Sequence, residues 1–155
     1  MKHSIEHGDY VVSRSLQTIM FSARGPWNDE TMKRGAREMG ENIAQLDLSK
    51  PWGTLSCLYG ESLMPPSTFN SFAKHTLIRK SMGLKALAVV ILDSDIANTI
   101  KNQLTPAYQE ADLKFAFLPD INSAIAWLSE INLDLEQQQV QQFFEKHSFI
   151  YPNRK

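Results

Sequence analysis

The chain has 155 residues, of which 43% are hydrophobic, and its 16 basic residues nearly balance 17 acidic ones for a formal charge of −1. That length buries one real core rather than two, and interspersed charges of both signs set up no broad field for phosphate backbone or anionic lipid, so nucleic acid is set aside as a partner. Cys57 is the single cysteine, which excludes an intramolecular disulfide and a cysteine-cluster zinc site.

The opening MKHSIEHGDYVV is too polar for a secretion signal, and no run reaches the about eighteen apolar residues of a membrane span. A cytoplasmic protein without stable membrane insertion is expected. His3 and His7 stand four apart in a polar terminus beside Gly8, and no metal site is expected of them. Residues 9–14 and 17–24 are rich in β-branched and aromatic side chains, with Ser15 and Leu16 at the connection, and predict a β-hairpin. Gly25 and Pro26 end it. Asn28 is a good N-cap, followed by Asp29 and Glu30 where a helix dipole favours negative charge. Met32, Ala36, Met39, Ile43 and Leu46 then form one apolar helical stripe.

TLSCLY, residues 54–59, reads as a strand ending at Gly60, and the loop GESLMPPST follows. A second helix over 67–82 turns Phe69, Phe72, Ala73, Thr76 and Leu77 inward and stops at Gly83. LKALAVVILD is apolar almost throughout, as strands covered on both faces are. Asp93, Ser94 and Asp95 are N-cap candidates for a third helix carrying Ile96, Ile100 and Leu104, with Pro106 near its end. LKFAFL is a fifth strand, and Pro119 and Asp120 open a fourth helix. Strands alternating with helices imply crossovers onto a mainly parallel sheet. The tail from residue 131 is glutamine-rich, but its Leu135, Val140, Phe143 and Phe144 predict an amphipathic helix.

This element order, with GPWNDE after the second strand, GLKALAVV as a buried strand and PDINSAIAWL opening the last helix, resembles the SpoIIAA-like branch of the STAS superfamily over residues 8–129. The resemblance implies an α/β domain: a single mixed, mainly parallel five-stranded sheet flanked by helices. The domain is expected over residues 1–130, leaving 131–155 as a helical extension packed on that domain or on a second copy. It implies a non-catalytic role: binding a regulatory protein partner or, by likeness to lipid-transfer folds, holding a small apolar molecule. Anti-sigma-factor antagonists of this type are phosphorylated on a serine just after an aspartate at the end of the third strand. The matching position here is Ser62. Glu61 replaces the aspartate and Leu63, Met64, Pro65 and Pro66 follow where the pattern has a short turn, so little or no regulatory phosphorylation is expected.

The loop has a plain structural use, in which Pro65 and Pro66 rigidify it while Ser67 or Thr68 caps the second helix. The same helix start would also stabilise a phosphate on Ser62, Ser67 or Thr68, or an anionic ligand head. Leu63 and Met64, with Trp27, Tyr59, Phe69 and Phe72, are the residues expected to line a partner or ligand site. Asp93 and Asp95 resemble the DxD of haloacid-dehalogenase-type phosphatases, although helix capping explains them as well. His75 and His147 have no evident partner, and Cys57 reads as a small buried residue. Phe143, Phe144, Phe149 and Tyr151 are costly to expose together, so a homodimer built on Phe143 and Phe144 is expected. The reading favoured by the sequence is a module without cofactor or metal that engages a protein partner through residues 60–68 and the following helix. A carrier or sensor of a small apolar or amphipathic ligand comes second, and a magnesium-dependent phosphatase using Asp93 and Asp95 a distant third. A packed core would favour the partner, and an elongated apolar cavity the ligand.

Overall fold

A computed structural model describes residues 9–150; His3, His7 and Tyr151 lie outside them. β1 (Asp9–Ser15) and β2 (Thr18–Arg24) form the hairpin, pairing antiparallel with Asp9 opposite Arg24 and Ser15 opposite Thr18. β3 (Trp52–Tyr59), β4 (Leu84–Leu92) and β5 (Lys114–Leu118) then add in parallel, giving the order β1-β2-β3-β4-β5. Three crossovers advancing in one direction, each right-handed, must place their helices on one face. Those helices are α1 (Asp29–Ile43), α2 (Pro66–Ser81) and α3 (Ala97–Glu110). Met39 and Ile43 of α1, half-buried Phe69 and Phe72 of α2, and Ile100 and Leu104 of α3 pack in one core with Trp52, Leu58, Leu84, Leu87 and Val89. α4 (Ile121–Glu130) and α5 (Gln137–Lys146) cover the other face, over Leu55, Cys57, Ala86, Ala88 and Val90. Successive β4 side chains therefore serve two different cores, which is why LKALAVVIL is apolar at nearly every position.

Local chemistry sets the helix boundaries. Asn28 accepts the Thr31 N–H at 2.9 Å and Asp120 accepts the Ser123 N–H at 2.7 Å, each satisfying a first-turn donor. Gly83 takes a left-handed φ of 103° after α2. Three expectations give way here. α2 begins at Pro66 behind Pro65, with no side-chain cap, because Ser67 and Thr68 already lie inside the first turn. α3 continues through Pro106 to Glu110, since the burial of Leu104, Ala107 and Tyr108 outweighs the N–H that proline lacks. α3 also lacks a side-chain cap; Ser94 instead accepts the Ile96 N–H at 3.2 Å, and neither Asp93 nor Asp95 caps the helix.

The C-terminal segment is bound into the same body. Thr18 donates to the Asp134 carbonyl at 2.9 Å, Ser22 to the His147 carbonyl at 2.6 Å, and Ser15 accepts the Glu136 N–H at 2.9 Å. Phe143 and Phe144 are 9% and 4% exposed, packed into the second core with ring centroids 4.9 Å apart. This corrects their assignment to an oligomer interface: their apolar area is already covered by this chain's own sheet. A homodimer would have to use another surface.

Candidate functional site

β3 is central, with β2 and β4 on either side, and its alternation divides its residues between the faces. Trp52, Thr54, Ser56 and Leu58 point toward α1 and α2, whereas Leu55, Cys57 and Tyr59 point toward α4 and α5. On the α1/α2 side the two helices stand apart over the sheet, leaving a cavity of about 110 Å³. Met32, Gly35, Ala36 and Met39 of α1 form one wall, and Phe72, Thr76 and Arg79 of α2 form the other. Thr54 and Ser56 lie in its floor, Trp27 and Met64 at the loop end, and Leu104 and Tyr108 of α3 along the side. Ser56 is only half-buried in the middle of the central strand, which a closed helix-on-sheet layer would not allow.

The loops at the mouth are fixed. The Ser62 hydroxyl accepts the Gly25 N–H at 3.0 Å and donates to the Tyr59 carbonyl at 2.8 Å. A Cβ on Gly25 would come within 2.7 Å of the Ser62 Cα, so the glycine is what permits this approach. The Trp27 N–H donates to the Leu63 carbonyl at 3.0 Å, and the Gln103 amide both donates to and accepts from the backbone of Met64 at 2.8 and 3.0 Å. Residues 60–65, the connection from β3 to α2, are thus clamped between the segment after β2 and α3.

Polar groups are few within the cavity. Thr76 donates to the Phe72 carbonyl at 2.9 Å, while the Thr54 hydroxyl, in a residue 4% exposed, has no hydrogen-bond partner among the described residues. Among the described residues, Arg79 is the only charged side chain in the lining. Burial lowers its pKa from the ordinary value to about 10, with the neighbouring Tyr108 opposing that shift. Burial likewise pushes the Tyr108 hydroxyl far above the usual phenol range. Behind the sheet, burial raises the Cys57 thiol to about 11. Cys57 is therefore a packed, protonated side chain and no nucleophile.

The chain is similar to a solved structure, an uncharacterized protein of the DUF3478 family with a SpoIIAA-like fold from Shewanella loihica PV-4. The two share 15% identity at a TM-score of 0.55, covering 83% of this chain and 98% of that one. The fold is SpoIIAA-like. No protein-family model matches the chain, and no curated protein does.

Within this SpoIIAA-like fold the residues expected at a site separate. Trp27, Met64 and Phe72 meet at the cavity. Leu63 and Phe69 pack on the same core without lining it, Phe69 lying 6.2 Å from Phe72 between ring centroids. Tyr59 faces the opposite side, in edge contact with Phe149 at 6.0 Å, because it follows Leu58 by one residue in a strand. Ser62 is 2% exposed with its hydroxyl engaged twice, which removes it as a phosphoacceptor. Ser67 and Thr68 both donate to the Asp29 carboxylate, at 3.1 and 2.6 Å, so the α2 N-terminus already holds an anion and a phosphate on Ser67 would meet repulsion there. Asp93 is paired with Arg24 at 2.8 Å, whereas Asp95 is exposed. Among the described residues no three His, Cys, Asp or Glu side chains gather as a cation site, and no helix is long and apolar enough to cross a membrane.

Thr54, Ser56, Arg79 and Tyr108 carry no role in the sequence reading, which turns Thr76 inward only as a core position. The available signal was polar residues two apart in TLSCLY, together with Thr68, Phe72, Thr76 and Arg79 on one stripe of α2. That stripe, rather than the one carrying Leu77, faces inward; Leu77 is exposed because Thr76 beside it takes the inward position.

Proposed function

We propose that this chain is a non-catalytic binding module that takes up a small, mainly apolar molecule between α1, α2 and the sheet. The supporting observation is the cavity itself, an opening where two crossover helices would otherwise close on β3. An engineered apolar cavity of about 150 Å³ accepts benzene. A space of about 110 Å³ that is partly open between its helices suits a molecule with a body about that size. Aromatic and methionine side chains give adaptable walls, and the fixed mouth makes the site preformed.

Titration with toluene, followed by backbone amide chemical shifts, tests this reading. Shifts confined to Thr54, Ser56, Ala36 and Phe72 and abolished by Ala36→Leu are expected. Unchanged spectra at saturating toluene would contradict it. A second reading, docking of a protein partner on α2, is favoured by Leu77, Ile78 and Met82, which are exposed on that helix and just beyond it. Loss of partner capture on Ile78→Lys, with toluene binding intact, would favour it.

A further inference from the structure

The apolar walls of the cavity leave two of its groups unexplained. Arg79, from the last turn of α2, has neither a carboxylate partner nor a side-chain hydrogen bond among the described residues. The residue is half-buried, and a guanidinium set against apolar walls gains from an anion there, because attraction beside a low-dielectric surface is weakly screened. Its pKa, lowered by burial to about 10, leaves it charged at neutral pH. Independently, Thr54 on β3 buries a hydroxyl that has no partner among the described residues, although buried polar atoms are almost always partnered. One group comes from a helix and the other from a strand, and both line the same space.

We propose that the ligand is a small monocarboxylate, its apolar body among Trp27, Met39 and Phe72 and its carboxylate bound by Arg79 and Thr54. A single cation balances a single negative charge, and the planar guanidinium fork matches a carboxylate edge. A doubly charged phosphate would need more donors than this lining offers. The identification rests on the small-molecule reading above, and deepens it.

Benzoate and its neutral isostere benzamide separate the two claims when titrated against the whole protein at neutral pH. Benzoate is expected to bind at least about tenfold more tightly, a difference that Arg79→Met removes while benzamide binding persists. Thr54→Val should reduce the benzoate advantage and leave benzamide unchanged. If Arg79→Met fails to fold, the Arg79 side-chain N–H resonance of the wild type should still shift with benzoate and stay still with benzamide. Equal affinities, or tighter binding of phenylphosphonate, would overturn the carboxylate assignment and leave the cavity reading standing. Binding of none of these compounds would overturn both.

Discussion

Arg24 Nη1 lies 2.8 Å from Asp93 Oδ2 and, at the same distance, from the carbonyl of Phe149, so the ends of β2 and β4 and the C-terminal segment meet on one guanidinium. Gly60 makes room for it: a Cβ there would fall within 2.6 Å of the Arg24 guanidinium, and the glycine holds a positive φ of 64°. The arginine side chain is 9% exposed and its partner 25%, so the pair is worth more than an exposed one. Arg24→Met should lower unfolding free energy by about 2 to 3 kcal/mol in urea titration, since it leaves a partly buried carboxylate and a carbonyl without their donor. Asp93→Asn should cost less, and the double variant should show a coupling of about 1 kcal/mol or more. Strict additivity would mean that the contact contributes nothing.

Ser62 has a structural role that gives its own expectation. Ser62→Ala leaves the Gly25 N–H and the Tyr59 carbonyl unsatisfied in a buried turn, and should destabilise by about 1 to 3 kcal/mol in the same measurement. Stoichiometric phosphate on Ser62 of the folded protein, seen by intact-mass analysis, would contradict this account.

The tail should behave as core. Phe144→Ala is expected to cost about 3 to 5 kcal/mol, and ending the chain after Glu130 should strip the second face and yield a poorly soluble or molten product. Unchanged thermal stability after that truncation would show that α5 does not cover the sheet. The melting temperature of Phe144→Ala should be lowered equally at low and high protein concentration, because the lost contacts are intramolecular.

Alkaline pH should weaken the fold on the α4/α5 side. Burial raises Cys57 from 9.0 to about 11 and Tyr59 from 10.0 to about 12, so the unfolded chain loses these protons first. Between those values the native state binds more protons than the unfolded state, and stability falls as pH rises. The contribution is whole below pH 9 and is lost progressively from there toward pH 12. Cys57→Ala should flatten the first part of that slope in urea titrations at stepped pH, and wild-type Cys57 should resist thiol reagents at pH 8. Rapid modification of the native protein there would contradict its burial.

The elements were legible because their signals are local. Asn28, Asp120 and Gly83 act within one turn, and the nearly continuous apolar run of β4 follows from helices on both sides. The site was half legible. Trp27, Met64 and Phe72 advertise apolar contact by their type alone, whereas Thr54 and Arg79 matter because α1 and α2 stand apart above them, a spacing set by tertiary packing. Tyr59 was misplaced by a single residue of strand register, since the loop it joins is on the cavity side while its ring is not. Ser67 and Thr68 were assigned as caps because the alternative acceptor, Asp29, is 38 residues from one and 39 from the other in sequence and reaches them only through the fold.

The most direct test of the central claim is a crystal of the unliganded protein pressurised with xenon, which marks apolar cavities. A xenon atom between α1 and α2, in contact with Met39, Leu58 and Phe72, is the expected result. Continuous side-chain packing there, with no xenon density above Thr54 and Ser56, would contradict it.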